Sequence, residues 1–150
     1  AYVAINDRTV NIADAYTELR LKPAHRDGQR CSSFTLETEP RRTTIDEYVR
    51  EHQLHPVDVI KIDVEGAELP ALRGALGVLE AHHPWLIIEV QQETSTAAGY
   101  DQADILRLLM DHDYRFARIG RRGRLTALSV EGLGAFQNVL AVPPGQVLPA

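Results

Sequence analysis

An α/β fold, with a mostly parallel sheet and an antiparallel carboxyl-terminal edge, follows from three features of the sequence. The first is a β-branched run, Val57, Val59, Ile60, Ile62 and Val64, of the kind buried on both faces of a sheet. The second is a segment after Gly66 in which Leu69, Leu72, Leu76 and Leu79 share one helical face, leading into a further apolar run, Trp85-Leu-Ile-Ile-Glu-Val90. A helical crossover of this kind makes the two strands parallel, with a right-handed connection. The third is a closing series of strand patterns with no helix between them, which builds an antiparallel edge.

Taken in order, Tyr2-Val-Ala-Ile5, Val10-Asn-Ile-Ala13 and Leu19-Arg-Leu21 read as short strands, with a turn at Asn6-Asp7. Residues 24 to 42 carry Gly28, Pro40 and scattered charges without a period, and read as a loop with room for one strand at Ser33 to Glu37. Thr44-Ile-Asp-Glu47 has the spacing of a capping box, so a helix should run from Ile45 to Gln53 and end before Pro56. The strand at 57–64 follows. In the helix after it, Pro70 is tolerated only in the first turn, where no N–H is needed, and His82-His83-Pro84 marks the end. Gln91 to Tyr100 reads as a polar loop. Asp101 caps a helix reaching Asp113, with Ile105, Leu108, Leu109 and His112 on one side. Tyr114–Ile119 and Leu125–Val130 flank Gly120-Arg-Arg-Gly123 as a hairpin, and Phe136–Val142 is the last strand before a Pro/Gly tail.

Composition narrows the partners. A chain of 150 residues, 44% apolar and 25% charged, is one globular domain with a genuine core. Its net charge of −5 argues against nucleic acid, and Arg118, Arg121, Arg122 and Arg124 read as a solvated hairpin. No apolar run approaches the ~20 residues of a membrane span, and no signal peptide is visible, so a cytoplasmic location is the default expectation. The single cysteine, Cys31, excludes an intrachain disulfide. The chain opens on Ala1 and its only methionine is Met110, which leads to the expectation of a fragment lacking its true amino end.

The chemistry concentrates at the end of the central strand. Asp63, Glu65 and Glu68 fall where that strand stops and the next helix starts, and Glu89 ends the neighbouring parallel strand. Ligands of open α/β sheets collect at such carboxyl ends. Lys61 shares a face with Asp63, either snorkelling from the sheet or pairing with that carboxylate. Gly66 serves a turn that other residues do not tolerate. Glu68 has a second reading, serving the helix amino terminus or hydrogen-bonding the turn. The histidines His82 and His83 read as helix-end residues, while His25, His52, His55 and His112 lack metal-ligand spacing, so no metal ligands are assigned among them. Ser32 and Ser33 read as solvated loop.

Lys61-Ile-Asp-Val-Glu-Gly-Ala-Glu68, followed by Leu72-Arg-Gly-Ala75 and Pro84-Trp-Leu-Ile-Ile-Glu89, resembles the FkbM family of S-adenosylmethionine-dependent methyltransferases, and Thr43-Thr-Ile-Asp46 resembles the segment preceding that motif. The resemblance covers residues 43 to 90. It implies a doubly wound, Rossmann-like methyltransferase sheet that methylates a hydroxyl of a sugar, lipid or small-molecule acceptor. Residues 1–150 would then be the carboxyl-terminal part of a single methyltransferase domain. No glycine-rich turn follows a strand, so the first two strands, which carry most of the cofactor site, are expected to be missing and the fragment inactive by itself.

On that reading Asp63, Lys61 and Glu65 are the catalytic candidates, Asp63 and Gly66 the cofactor contacts, and Glu68 and Glu89 the acceptor contacts. Asp63 would face the cofactor's cationic end or take the hydroxyl proton, with Lys61 orienting it. Two alternatives compete. Asp63, Glu65 and Glu89 could hold a divalent cation in a hydrolase or phosphotransferase. A half-domain with an exposed edge at the 57–64 strand could instead pair with another chain.

Overall fold

The computed structural model describes residues 43–147 throughout and, before them, the backbone of 2–5, 8–11, 21–26 and 29–36. In chain order the elements are β1 (Tyr2–Ile5), β2 (Arg8–Asn11), β3 (Leu21–Arg26), β4 (Gln29–Leu36), α1 (Ile45–Glu51), β5 (Val59–Ile62), α2 (Glu68–Arg73), α3 (Leu76–His82), β6 (Trp85–Gln91), α4 (Gln92–Ala97), α5 (Ala103–Met110), β7 (Arg115–Ile119), β8 (Leu125–Leu128) and β9 (Phe136–Val142). The turn expected at Asn6-Asp7 lies outside the described residues, as do the side chains of Cys31, Ser32 and Ser33. No helix among the described residues is long and apolar enough to cross a membrane.

The main sheet runs β2-β1-β5-β6-β9-β7-β8, and β3 pairs with β4 as a separate hairpin. β5 and β6 are parallel, as the helical crossover requires. β9 lies between β6 and β7 and is antiparallel to both. β5, β6 and β7 therefore run in one direction, yet only β5 and β6 are direct neighbours. This corrects the expectation of mostly parallel pairing, because the returning strand β9 occupies the lane where β6 and β7 would otherwise meet. The edge of β5, left open in the half-domain alternative, is covered: β1 pairs along it, Tyr2 opposite Lys61 and Ala4 opposite Val59.

Three local expectations also change. Residues 24–42, read as a loop with room for one strand at Ser33 to Glu37, contain most of the β3–β4 hairpin, with Leu21 opposite Leu36; β4 overlaps that strand but begins earlier, at Gln29. The stretch Arg30-Cys-Ser-Ser-Phe-Thr35 has no consistently apolar side, so alternation does not reveal the early start of β4. The single helix expected after residue 67 is two, because Gly74 and Ala75 break it. There α1 wedges in: the Asp46 amide donates to the Gly74 carbonyl at 2.8 Å, and a Cβ on Gly74 would lie 3.0 Å from the Thr44 Cβ. Finally, Gln91–Tyr100 is not all loop, since α4 occupies Gln92–Ala97 with only Ser95 buried.

The core is one-sided. Ile60, Ile62, Leu86, Ile88, Val90, Val139 and Ala141 point to the face covered by helices and pack with Leu69, Leu72, Leu79, Ile105, Leu106 and Leu109, all essentially inaccessible to solvent. Each such valine, leucine or isoleucine contributes about 1.5–3 kcal/mol relative to exposure. On the opposite face Lys61, Trp85, Ile87, Glu89, Gln91, Asn138 and Leu140 are only half-buried. The carboxyl end of that face is polar, and it is where the acidic residues gather.

Candidate active site

The strand β5 ends at Ile62, and the chain then turns sharply through Asp63-Val-Glu-Gly-Ala67 into α2. Two successive residues are left-handed, Glu65 at φ 49° and Gly66 at φ 98°. Glycine is needed at the second position twice over. It takes the positive φ without strain, and a Cβ there would sit 2.9 Å from the Thr94 carbonyl oxygen of α4. Glu65 tolerates the same region only at a cost in strain, the kind that persists where surrounding contacts over-determine the backbone.

Glu68 supplies those contacts. It is 3% exposed, and its carboxylate accepts from the Val64 amide at 3.2 Å, from the Gly66 amide at 3.0 and 3.2 Å, and from the Tyr100 hydroxyl at 3.1 Å. Burial pushes the Tyr100 hydroxyl up from its ordinary range, and the Glu68 charge adds to this. Of the two readings of Glu68, the structure has the one in which it hydrogen-bonds its own turn; its oxygens are turned inward and do not face an acceptor. Sequence spacing gave no sign of Tyr100, 32 positions away.

With Glu68 holding the turn, three other carboxylates converge. Asp63, Glu65 and Glu89 each bring one oxygen within 4.8 Å of the others, Asp63 and Glu65 exposed and Glu89 half-buried. Lys61 lies alongside, its Nζ 2.5 Å from Asp63 Oδ2, which favours the ion-pair reading over a snorkelling side chain. Both side chains are more than a third exposed, so the pair orients Asp63 more than it stabilises the fold. Glu89 is the group most affected. Burial raises its pKa above the usual carboxylate value, the charges of Asp63 and Glu65 raise it further, and Lys61 opposes them.

The flanking motifs do other work. Thr44 and Glu47 form the expected capping box, and Asp46 reaches across to accept from the Gly77 and Val78 amides at 3.0 and 2.9 Å, capping α3. His82 Nδ1 accepts from the Val57 amide at 2.9 Å, tying the entry of β5 to the end of α3. Asp101 caps α5 as expected, its Oδ1 accepting from the Ala103 amide at 2.8 Å.

A family model described as the methyltransferase FkbM domain matches residues 5–116. The chain belongs to the FkbM methyltransferase family. Neither a curated protein nor a solved structure matches it. Membership in the FkbM family implies use of S-adenosylmethionine, and the donor set fits the cationic half of that molecule: three carboxylates converging at the carboxyl end of a parallel strand pair suit a sulfonium or ammonium. Among the described residues no acidic side chain following a strand and glycine-rich turn suits the ribose. In FkbM terms the motif divides into a scaffold, Asp46, Gly66, Glu68 and Gly74, and a cluster that faces outward, Lys61, Asp63, Glu65 and Glu89.

Proposed function

We propose that this chain contributes to O-methylation of a hydroxyl acceptor, with Glu89 as the proton acceptor and Asp63 facing the cationic cofactor. The observation that carries the reading is the crowding of three carboxylates at the β5–β6 carboxyl ends in a chain of the FkbM family. S-adenosylmethionine, when bound, supplies an electrophilic methyl group on a sulfonium. Asp63, held by Lys61, provides fixed negative charge against that cation. Glu89, whose pKa is raised by burial and by its acidic neighbours, would receive the proton that the acceptor hydroxyl gives up. Glu65 supports that basicity through its charge, and Gly66 keeps the turn that carries it. The hydrolase reading uses the same carboxylates but has no counterpart in the family match.

Binding and turnover test the two roles separately. Calorimetric titration of the 150-residue chain with S-adenosylmethionine and with the neutral product S-adenosylhomocysteine should favour the cation, and Asp63→Asn should remove the preference. In a methyl-transfer assay of a longer form that includes the expected cofactor-binding strands, Glu89→Gln should lower kcat by roughly 10²-fold or more, the range of a lost general base. Unchanged turnover in Glu89→Gln would remove it as the base.

A further inference from the structure

Because β5, β6 and β7 run in one direction, they end at one edge of the sheet, and the two corners of that edge carry opposite charge. Asp63, Glu65 and Glu89 occupy the β5–β6 corner. At the β7 corner the chain turns through Gly120-Arg-Arg-Gly-Arg124, every residue of which is exposed. The turn is tight: the Gly120 amide donates to the Arg124 carbonyl at 2.7 Å, and Arg122 and Gly123 take positive φ of 57° and 75°. Glycine adopts such a φ freely, whereas arginine does so at a cost, which points to a use for its side chain. Arg118 reaches back to donate to the Gly132 carbonyl at 2.6 Å. Among the described residues no carboxylate pairs with Arg121, Arg122 or Arg124.

Apolar side chains lie beside this basic tip. Ile119 is opposite Leu125 on β8 and opposite Asn138 on β9, so Ile119, Leu125 and Phe136 share one face of the sheet. Phe136 is 55% exposed, and Ile119 and Leu125 are half-buried. The segment bearing Phe136 is fastened: the Gly134 amide donates to Gln137 Oε1 at 2.7 Å, and Gln102 Nε2 donates to the Gly134 carbonyl at 2.9 Å. Gln102 and Gln137 are both buried, so an exposed ring is held out from a fixed backbone.

The shape and chemistry of this corner select its partner. A tip exposed at every position has no walls to enclose a small anion, and a single exposed ion pair gains little. Three guanidiniums presented together suit an array of anions, where their contributions sum. Nucleic acid offers such an array but no hydrocarbon for Ile119 and Leu125. A bilayer offers both, since guanidiniums stay among headgroup phosphates while Phe136 enters the acyl boundary. The chain's net charge of −5 acts weakly here. β9 separates the hairpin from β6, about 10 Å at two strand spacings, and charges are screened over about 8 Å at physiological ionic strength. Glu93, on the β6 side of Phe136, opposes the surface.

We propose that the β7–β8 tip, with Phe136, Ile119 and Leu125, is a docking surface for an anionic lipid bilayer, which the chain meets edge-on at the headgroup boundary. The assignment is independent of methyl transfer: it rests on the arginines, the ring and their shared edge.

The test is co-sedimentation of the full chain with vesicles of phosphatidylcholine alone and of equal parts phosphatidylcholine and phosphatidylserine, at low and high salt. The chain should bind the anionic vesicles, bind the neutral ones at least tenfold more weakly, and lose most of its binding at high salt. Replacing Arg121, Arg122 and Arg124 together by Ala should weaken partitioning about a hundredfold. Phe136→Ser should weaken it about fivefold to tenfold, because the ring's burial is lost. Arg122→Asn separates the side chain from the turn: it should weaken partitioning about fivefold while the urea midpoint stays level or rises, since asparagine accepts the left-handed φ more readily. Circular dichroism of each variant verifies the fold. No binding to anionic vesicles at low salt, equal binding to neutral ones, or indifference to the triple substitution each overturns the docking surface. If a single-stranded oligoribonucleotide displaces the chain from vesicles through the same three arginines and binds more tightly than they do, the surface belongs to nucleic acid and the membrane assignment falls.

Discussion

Glu68 and Glu89 are both acidic, both sit at the carboxyl ends of adjacent parallel strands, and they have opposite environments. Glu68 is buried, with its oxygens taken up by two backbone amides and a tyrosine hydroxyl. Glu89 is half-buried among other carboxylates, and its pKa moves up accordingly. Asp46 belongs with Glu68, since its two oxygens receive the second and third amides of α3. The difference shows how one motif carries two kinds of carboxylate. Where amides converge on an acid, the charge is used up in fixing the backbone. Where acids converge on each other, the charge is left to act on something else.

Substitutions should separate the two kinds by their effect on stability. Glu68→Ala should be the most damaging, about 3 kcal/mol, because it leaves the Val64 and Gly66 amides and the Tyr100 hydroxyl without their acceptor in a buried turn. Urea denaturation of the variant checks this; a loss under about 1 kcal/mol would place Glu68 with the outward-facing cluster instead. Gly66→Ala follows, at roughly 2 kcal/mol, from its positive φ and the Thr94 carbonyl that its Cβ would meet. A retained urea midpoint would show that α4 yields. Asp46→Ala should cost about 1 kcal/mol, the worth of a helix cap, and Asp46→Asn should recover most of it because an amide oxygen still accepts. If Asn fails to rescue, the charge at the α3 amino end matters more than the hydrogen bonds.

Much of this division is legible in the sequence, and what is not has a common cause. The strand pair, the capping box, the Asp101 cap, the 115–128 hairpin and the last strand follow from local periodicity and turn chemistry, and all are present. Asp63, Glu65 and Glu89 can be grouped because a parallel crossover fixes where adjacent strands end. Glu68 reads from sequence either as an acceptor contact or as a bond to its own turn, and the turn reading holds; its further partner Tyr100 comes from a distant helix junction that no pattern links to it. The lane taken by β9, and with it the meeting of Glu89 with Asn138 and of Gln91 with Phe136, depends on which strand returns to the middle of the sheet. Pairing of that sort has no period to read. The break at Gly74 is similar, being imposed by α1 from outside its own helix.

The smallest effect is the most diagnostic, since it asks whether Glu89 is strained by its neighbours in solution. Its pKa in the fold lies above the ordinary 4.5, through burial first and then the charges of Asp63 and Glu65. Between 4.5 and that raised value the folded chain holds a proton that the unfolded chain has released, so stability falls as pH rises through this window. Below the window Glu89 is protonated in both states and contributes no slope. Glu89→Gln removes the fall, so the variant should match the wild type in acid and exceed it at neutral pH, by less than any of the losses above. Asp63→Asn should recover part of the same gain, because its charge is second only to burial in raising Glu89. Urea midpoints at acid and neutral pH for the three proteins give the comparison. If Glu89→Gln were instead destabilising at neutral pH, Glu89 would be a satisfied structural acid like Glu68, and the contrast between the two carboxylates would collapse.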